Sequence, residues 1–163
     1  MNEIFKRVSY RKFLDKEVEE EKINLILKAA MASPSAKNQQ AWEFFVVKDK
    51  DTLLKLSEAT QYAMCVKNAP LAIVICYKSE SNAAEFSQID CAIAAENIML
   101  EAVSLDLGSV MIGVAPIEEN MLNVKNVLEL DDSLKPFTII PIGYPETSKE
   151  QTDRFDINKV HYI

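Results

Sequence analysis

The sequence predicts an α+β fold for one domain spanning residues 1–163. Three observations carry this. Helix-like and strand-like segments follow one another without a regular β-α-β alternation, which argues against a parallel doubly wound sheet. The run 70–77, Pro-Leu-Ala-Ile-Val-Ile-Cys-Tyr, is continuously apolar and rich in branched residues, as a strand buried on both faces must be. The segment 85–107 is long and apolar at nearly every angular position of a helix.

The elements follow in order. Residues 18–32 carry Ile23, Ile26, Leu27, Ala30 and Met31 at helical spacings of three and four, behind the acidic stretch 17–21. Ser33-Pro34-Ser35 ends that helix, because proline disfavours helical backbone in the residue before it. Residues 44–47 (Phe-Phe-Val-Val) read as a short strand, and 51–59 as an amphipathic helix with Leu53, Leu54 and Leu56. In the long helix 85–107, Phe86, Ile89, Ile93, Ile98, Met99, Leu100, Val103 and Leu107 cover nearly the whole circumference. A domain of this size can hardly bury such a helix on every side, so it points to a subunit interface. Gly108 is expected to supply its left-handed cap. A strand over 110–114, a helix over 118–128 and a last strand over 137–143 complete the chain before a polar tail.

Composition narrows the function. Eighteen Lys and Arg against twenty-five Asp and Glu give a net charge of −7, which argues against nucleic acid and anionic membrane as partners. Only three glycines occur, the first at Gly108, so neither a G-x-G-x-x-G turn nor a G-x-x-x-x-G-K-[ST] loop can be written. The single histidine, His161, lies in the tail, which disfavours a Ser-His-Asp triad or a His-rich metal site. Cys65, Cys76 and Cys91 form no C-x-x-C pair and read as small buried hydrophobes of a reducing compartment. No apolar signal core opens the chain, and no run of 18 uncharged apolar residues follows, so the expectation is a cytoplasmic protein.

Three segments could carry chemistry. Arg7-Val8-Ser9-Tyr10-Arg11 places two guanidiniums four residues apart, on one side if the segment is a helical turn or its exit, with a hydroxyl between them. Such forks suit a phosphate; they also suit simple pairing with Glu3, Asp15 or other surface acids. The loop Ser33-Pro34-Ser35-Ala36-Lys37-Asn38-Gln39-Gln40-Ala41-Trp42 offers amides and hydroxyls to a polar heterocycle, or is an ordinary turn with Trp42 as core anchor. Gly108 and Gly113 bracket an apolar strand, where Gly113 suits close approach of a flat ligand or a bend.

Taken together these segments resemble the nitroreductase family of flavoenzymes. The resemblance runs through Arg7-x-Ser9-x-Arg11-x-Phe13, Ser33-Pro34-Ser35-Ala36-x-Asn38-x-Gln40-x-Trp42, Asn68-Ala69-Pro70, Asp90 and Glu96-Asn97 in the long helix, Leu107-Gly108-Ser109, Ile142-Gly143-Tyr144-Pro145 and Arg154. It implies a central mixed or antiparallel sheet flanked by helices, and a homodimer with the long helix and FMN at its interface. NADH or NADPH would deliver hydride in a ping-pong cycle that ends on a small oxidant such as a nitroaromatic or quinone. By resemblance Arg7, Val8, Ser9 and Arg11 hold the FMN phosphate and ribityl chain from one subunit. Pro34, Ser35, Ala36 and Asn38 line the flavin from the other. The backbone donor to flavin N5 falls at Ile112 or Gly113, and Arg154 adds a phosphate contact, with Lys159 a weaker candidate. No catalytic side chain and no metal are implied, because the flavin carries the chemistry.

Two departures stand out: Ala41 replaces the proline of the family's Gln-Pro-Trp, and only about a dozen residues join the apolar strand to the long helix, which suggests an open pocket. Tyr62 or Met64 could cover the flavin or simply pack. Competing readings are a specialised flavoenzyme of this fold (a dehalogenase or a flavin-consuming enzyme), a flavin-binding protein with little reductase activity, and a plain α+β dimer.

Overall fold

The computed structural model describes residues 3–163. Its centre is an antiparallel sheet in the order β1-β2-β5-β3, with β4 also paired to β5. The strands are β1 (Trp42–Val47), β2 (Leu71–Lys78), β3 (Gly108–Ser109), β4 (Ile112–Gly113) and β5 (Leu134–Gly143). The helices are α1 (Glu3–Lys6), α2 (Glu20–Met31), α3 (Lys50–Glu58), α4 (Ser87–Ser104) and α5 (Glu118–Val127). Short 3-10 turns occupy Ala36–Asn38, Ala63–Asn68, Ala84–Phe86 and Ile157–Lys159. Among the described residues, no helix is long and apolar enough to cross a membrane.

β2 shows why its run had to be apolar throughout. Side chains alternate across a strand, so Leu71, Ile73, Ile75 and Tyr77 enter one core while Ala72, Val74 and Cys76 enter the other. α2 and α4 close the first core with Ile23, Ile26, Ala94, Ala95 and Ile98, and Trp42 is anchored there beside Phe44. α3 and α5 close the second with Leu53, Leu56 and Val124. All three cysteines are buried and free, and burial pushes the Cys76 and Cys91 thiols up to about 12.

Two expectations are corrected. First, the segment 110–114 is not one strand: β3 and β4 are two short pieces on β5, opposite Gly143/Ile142 and Ile139/Thr138. Second, α4 stops at Ser104, and Gly108 is not its cap. Asp106 takes the left-handed conformation (φ 61°), Leu107 N–H reaches Ala102 O at 2.8 Å and Asp106 N–H reaches Val103 O at 3.2 Å. That is a Schellman closure with aspartate where glycine usually sits. Gly108 is a glycine for another reason, since a Cβ there would lie 2.8 Å from the Tyr10 ring. α4, as its all-round apolarity and the size of the domain lead one to expect, is not wrapped on all sides by the described residues. Phe86, at its N-cap, and Ile89 and Ile93, on its outer side, remain 44%, 55% and 37% exposed, a strip that the described residues leave uncovered.

Candidate functional site

The arginine–serine segment leaves α1 and docks on the sheet. Arg7 N–H closes the last turn on Glu3 O, after which Ser9 forms a parallel bridge with Ser109 and Tyr10 N–H donates to Ser109 O at 3.0 Å. The segment is therefore a helix exit followed by a bridge, not a helical turn, because Ser109 takes the backbone bond a helix would have needed. Its two guanidiniums have different neighbours. Arg7 is half-buried and meets Glu96 of α4 through Nε at 3.4 Å, so its terminal amino groups stay available. Arg11 is exposed and beside Cys65, whose thiol is raised by burial and partly drawn back by that charge. Among the described residues neither Arg11 nor Arg154 has an ion-pair partner within 4 Å.

The tail returns to the same segment. Gln151 donates its side-chain N–H groups to Ile4 O and Arg7 O, both at 3.1 Å. Lys149 reaches Ser9 O at 3.3 Å, and its backbone N–H bonds the Tyr10 hydroxyl. Arg154 follows three residues after Gln151, exposed. Arg7, Val8, Ser9, the strand pieces bearing Ile112 and Gly113, and the tail are thus gathered around β3. Ile112 is buried, and its carbonyl accepts the Thr138 hydroxyl. Gly113 is exposed, has no positive φ, and a Cβ on it would meet nothing within 4 Å. Among the described residues nothing requires a glycine there, and the face over it is open.

The second half-site is the loop 33–40, where three non-glycine residues have positive φ: Lys37 at 50°, Asn38 at 52° and Gln40 at 46°. Each such residue costs on the order of 1 kcal/mol or more and persists only where surroundings over-determine it. Helix α4 supplies those surroundings. Buried Asp90 accepts the Ala36 N–H at 3.0 Å on Oδ1 and the Gln39 Nε2 at 2.6 Å on Oδ2. Gln39 also clasps Ala83, donating to its carbonyl at 3.0 Å and accepting its N–H at 2.9 Å. Two turns along α4, Asn97 donates to the Ser33 hydroxyl at 2.8 Å. Within the loop, Ser35 Oγ accepts the Gln40 N–H and Asn38 Oδ1 accepts the Gln40 side chain.

No hydrogen bond or ion pair joins 7–11 directly to 34–38 among the described residues; each half-site is tied to α4. From the sequence, Gln39 is named only as one amide of the loop, and Asp90, Glu96 and Asn97 only in the resemblance, without a role. The signal was present, since polar residues seven apart on an otherwise apolar helix share one face. Tyr62, Met64, Lys159 and His161 are all exposed.

Comparison with known proteins agrees with this architecture. The model of the Nitroreductase family matches residues 4–74 and 60–144. A Methanothermobacter thermautotrophicus protein provisionally named an NADH dehydrogenase/NAD(P)H nitroreductase is 40% identical over 156 residues, covering 95% of this chain and 82% of the relative. A Clostridium acetobutylicum structure provisionally named an NADH oxidase superposes with TM-score 0.95 at 46% identity, over 98% of this chain and 97% of that one. An FMN-dependent nitroreductase from Clostridium difficile R20291 gives 0.92 at 36% identity, over 99% and 97%. With its antiparallel sheet, its long central helix and these matches along its length, the chain belongs to the nitroreductase family.

Proposed function

We propose that this chain is an FMN-dependent oxidoreductase that takes hydride from NADH or NADPH and passes it to a small acceptor such as a nitroaromatic or quinone. The observation that carries this reading is the bridge between Ser9 and Ser109. It sets a cationic, hydroxyl-bearing segment beside the strand pieces that end in an unobstructed Gly113. The donor set suits FMN: guanidiniums for a phosphate, a serine hydroxyl for a ribityl chain, and strand backbone with a bare glycine for a flat ring.

Arg7, Val8, Ser9, Arg11 and Arg154 hold the phosphate and ribityl end, and Ile112 or Gly113 offers a backbone N–H to the ring. The loop carrying Pro34, Ser35, Ala36 and Asn38 lines the flavin held by a second copy. When bound, FMN supplies the two-electron chemistry; the protein's part is to bind, orient and partly exclude water, so no catalytic side chain is required. The two substrates use one open face in turn.

The assembly in this reading is a homodimer through α4. The uncovered strip of Phe86, Ile89 and Ile93 supports it, as do exposed Phe155, Ile157 and Tyr162 in the tail. The 163 residues then act as one flavin-binding domain per subunit.

Purified protein, reconstituted with FMN, should be yellow, carry about one FMN per subunit, run as a dimer, and bleach under NADH or NADPH without oxygen. Protein that stays colourless after reconstitution overturns the reading.

A further inference from the structure

We infer that Asp90 and Gln39 are positioning residues that hold the loop 35–40 in its ligand-ready form. The inference rests on the FMN reading above and deepens it, by saying what keeps one wall of the site in place.

A loop with left-handed backbone at Lys37, Asn38 and Gln40 would relax if left alone, since each of these residues has lower-energy conformations available. Its own hydrogen bonds, Ser35 Oγ with Gln40 N–H and Asn38 Oδ1 with the Gln40 amide, are exposed and exchange readily with water. What holds it is Asp90, only 4% exposed, whose two oxygens take one backbone and one side-chain N–H from opposite ends of the turn Ala36–Gln39. Gln39 is saturated in the same way: both Nε2 hydrogens and Oε1 are engaged, on Asp90 and on the two backbone groups of Ala83.

The pair therefore spans three elements: the loop, the first turn of α4 and the connection before it. Both side chains direct their polar atoms to Ala36, Ala83 and each other. Each acts through the backbone of Ala36 and its neighbours, whose N–H directions decide what the loop can bond. Asparagine at 90 would keep one acceptor for Ala36 but turn its Nδ2 donor toward the Gln39 donor. The turn then loses one of its two fixed ends and relaxes out of the strained conformation.

The test uses the FMN-loaded protein. Wild type, Asp90→Asn, Gln39→Ala and the double variant are diluted, and release is followed by the rise of free-flavin fluorescence. Cys91→Ala, buried in the core on the same helix and with no side-chain hydrogen bond to the loop among the described residues, reports the effect of lost packing. Both single variants should weaken FMN binding by about tenfold or more, because a buried hydrogen-bonded partner is lost. The double variant should be no weaker than the worse single, because the two side chains act as a unit. The visible circular dichroism of bound FMN should change in Asp90→Asn and stay as in wild type in Cys91→Ala. Affinities of both singles within about threefold of wild type overturn the inference, as does an equal loss in Cys91→Ala. Gln39→Ala keeps the test decisive if Asp90→Asn does not fold. A wild-type protein that holds no FMN overturns the underlying reading instead, a distinct result.

Discussion

Ser9 faces Ser109 across an isolated parallel bridge, and the Ser109 hydroxyl, on a residue only 2% exposed, has no hydrogen-bond partner among the described residues. A buried hydroxyl without a partner carries its desolvation cost with no return. Ser109→Ala should therefore raise the stability of the flavin-free protein by about 1 kcal/mol. The check is the urea midpoint at fixed protein concentration; a lower midpoint would show that the hydroxyl is engaged.

Arg11 is exposed, has no ion-pair partner among the described residues and lies two residues from Ser9, so charge reversal there removes a cation without breaking an ion pair seen in the fold. Arg11→Glu should weaken FMN binding by about tenfold or more, because charge-assisted bonds to phosphate contribute about 1.5–3 kcal/mol. Its thermal unfolding without flavin should match wild type. Fluorescence titration reads the first quantity and circular dichroism the second; unchanged affinity would move the phosphate site away from this segment.

Tyr144 ties α2 to the end of β5. Its hydroxyl donates to the Glu19 carboxylate at 2.7 Å and accepts from Lys22 Nζ at 2.9 Å, while Lys22 also reaches Leu105 O. The hydrogen bond from Tyr144 is the main reason the Glu19 carboxyl lies below its ordinary value of 4.5, and the same hydroxyl raises the Lys22 ammonium above 10.5. A lowered carboxyl contributes stability above its unfolded value and loses it as pH falls through the folded one; a raised ammonium contributes below its unfolded value and loses it as pH rises. Tyr144→Phe should therefore flatten the stability profile both below pH 4.5 and above pH 10.5. Melting temperatures measured from acid to alkaline pH decide it; parallel profiles for the two proteins would refute it.

Legibility in the sequence followed how local the cause was. β2 could be read because burial on two faces leaves only one residue class, and α4 because a run that long and apolar all round is too long for one strand. The arginine–serine and Ser33–Trp42 segments could be singled out because their chemistry is unusual for an acidic chain. What could not be read depends on partners distant in sequence. Gln39 is bound to Asp90 and Ala83, 51 and 44 residues away, and no local pattern announces such a clasp. The expectation that Gly108 caps α4 failed because a left-handed cap needs the right position more than it needs glycine, and Asp106 holds that position.

α5 repeats this pattern and allows a sharper test. Glu129 takes φ 51° after the helix, with Leu130 N–H on Lys125 O at 3.0 Å and Glu129 N–H on Asn126 O at 3.4 Å, the same Schellman closure. Glutamate has no special tolerance for this conformation, whereas aspartate at 106 does. Glu129→Gly should raise stability by about 0.5–1 kcal/mol, the left-handed strain removed exceeding the added freedom of the unfolded chain. Gly108→Ala should do the opposite and cost about 1–3 kcal/mol, because the new methyl would press on the Tyr10 ring from 2.8 Å in a place where φ gives no reason for glycine. Urea unfolding of the two variants beside wild type separates the two causes, backbone conformation at 129 and steric approach at 108. Equal shifts of the same sign would show that neither local cause governs these positions.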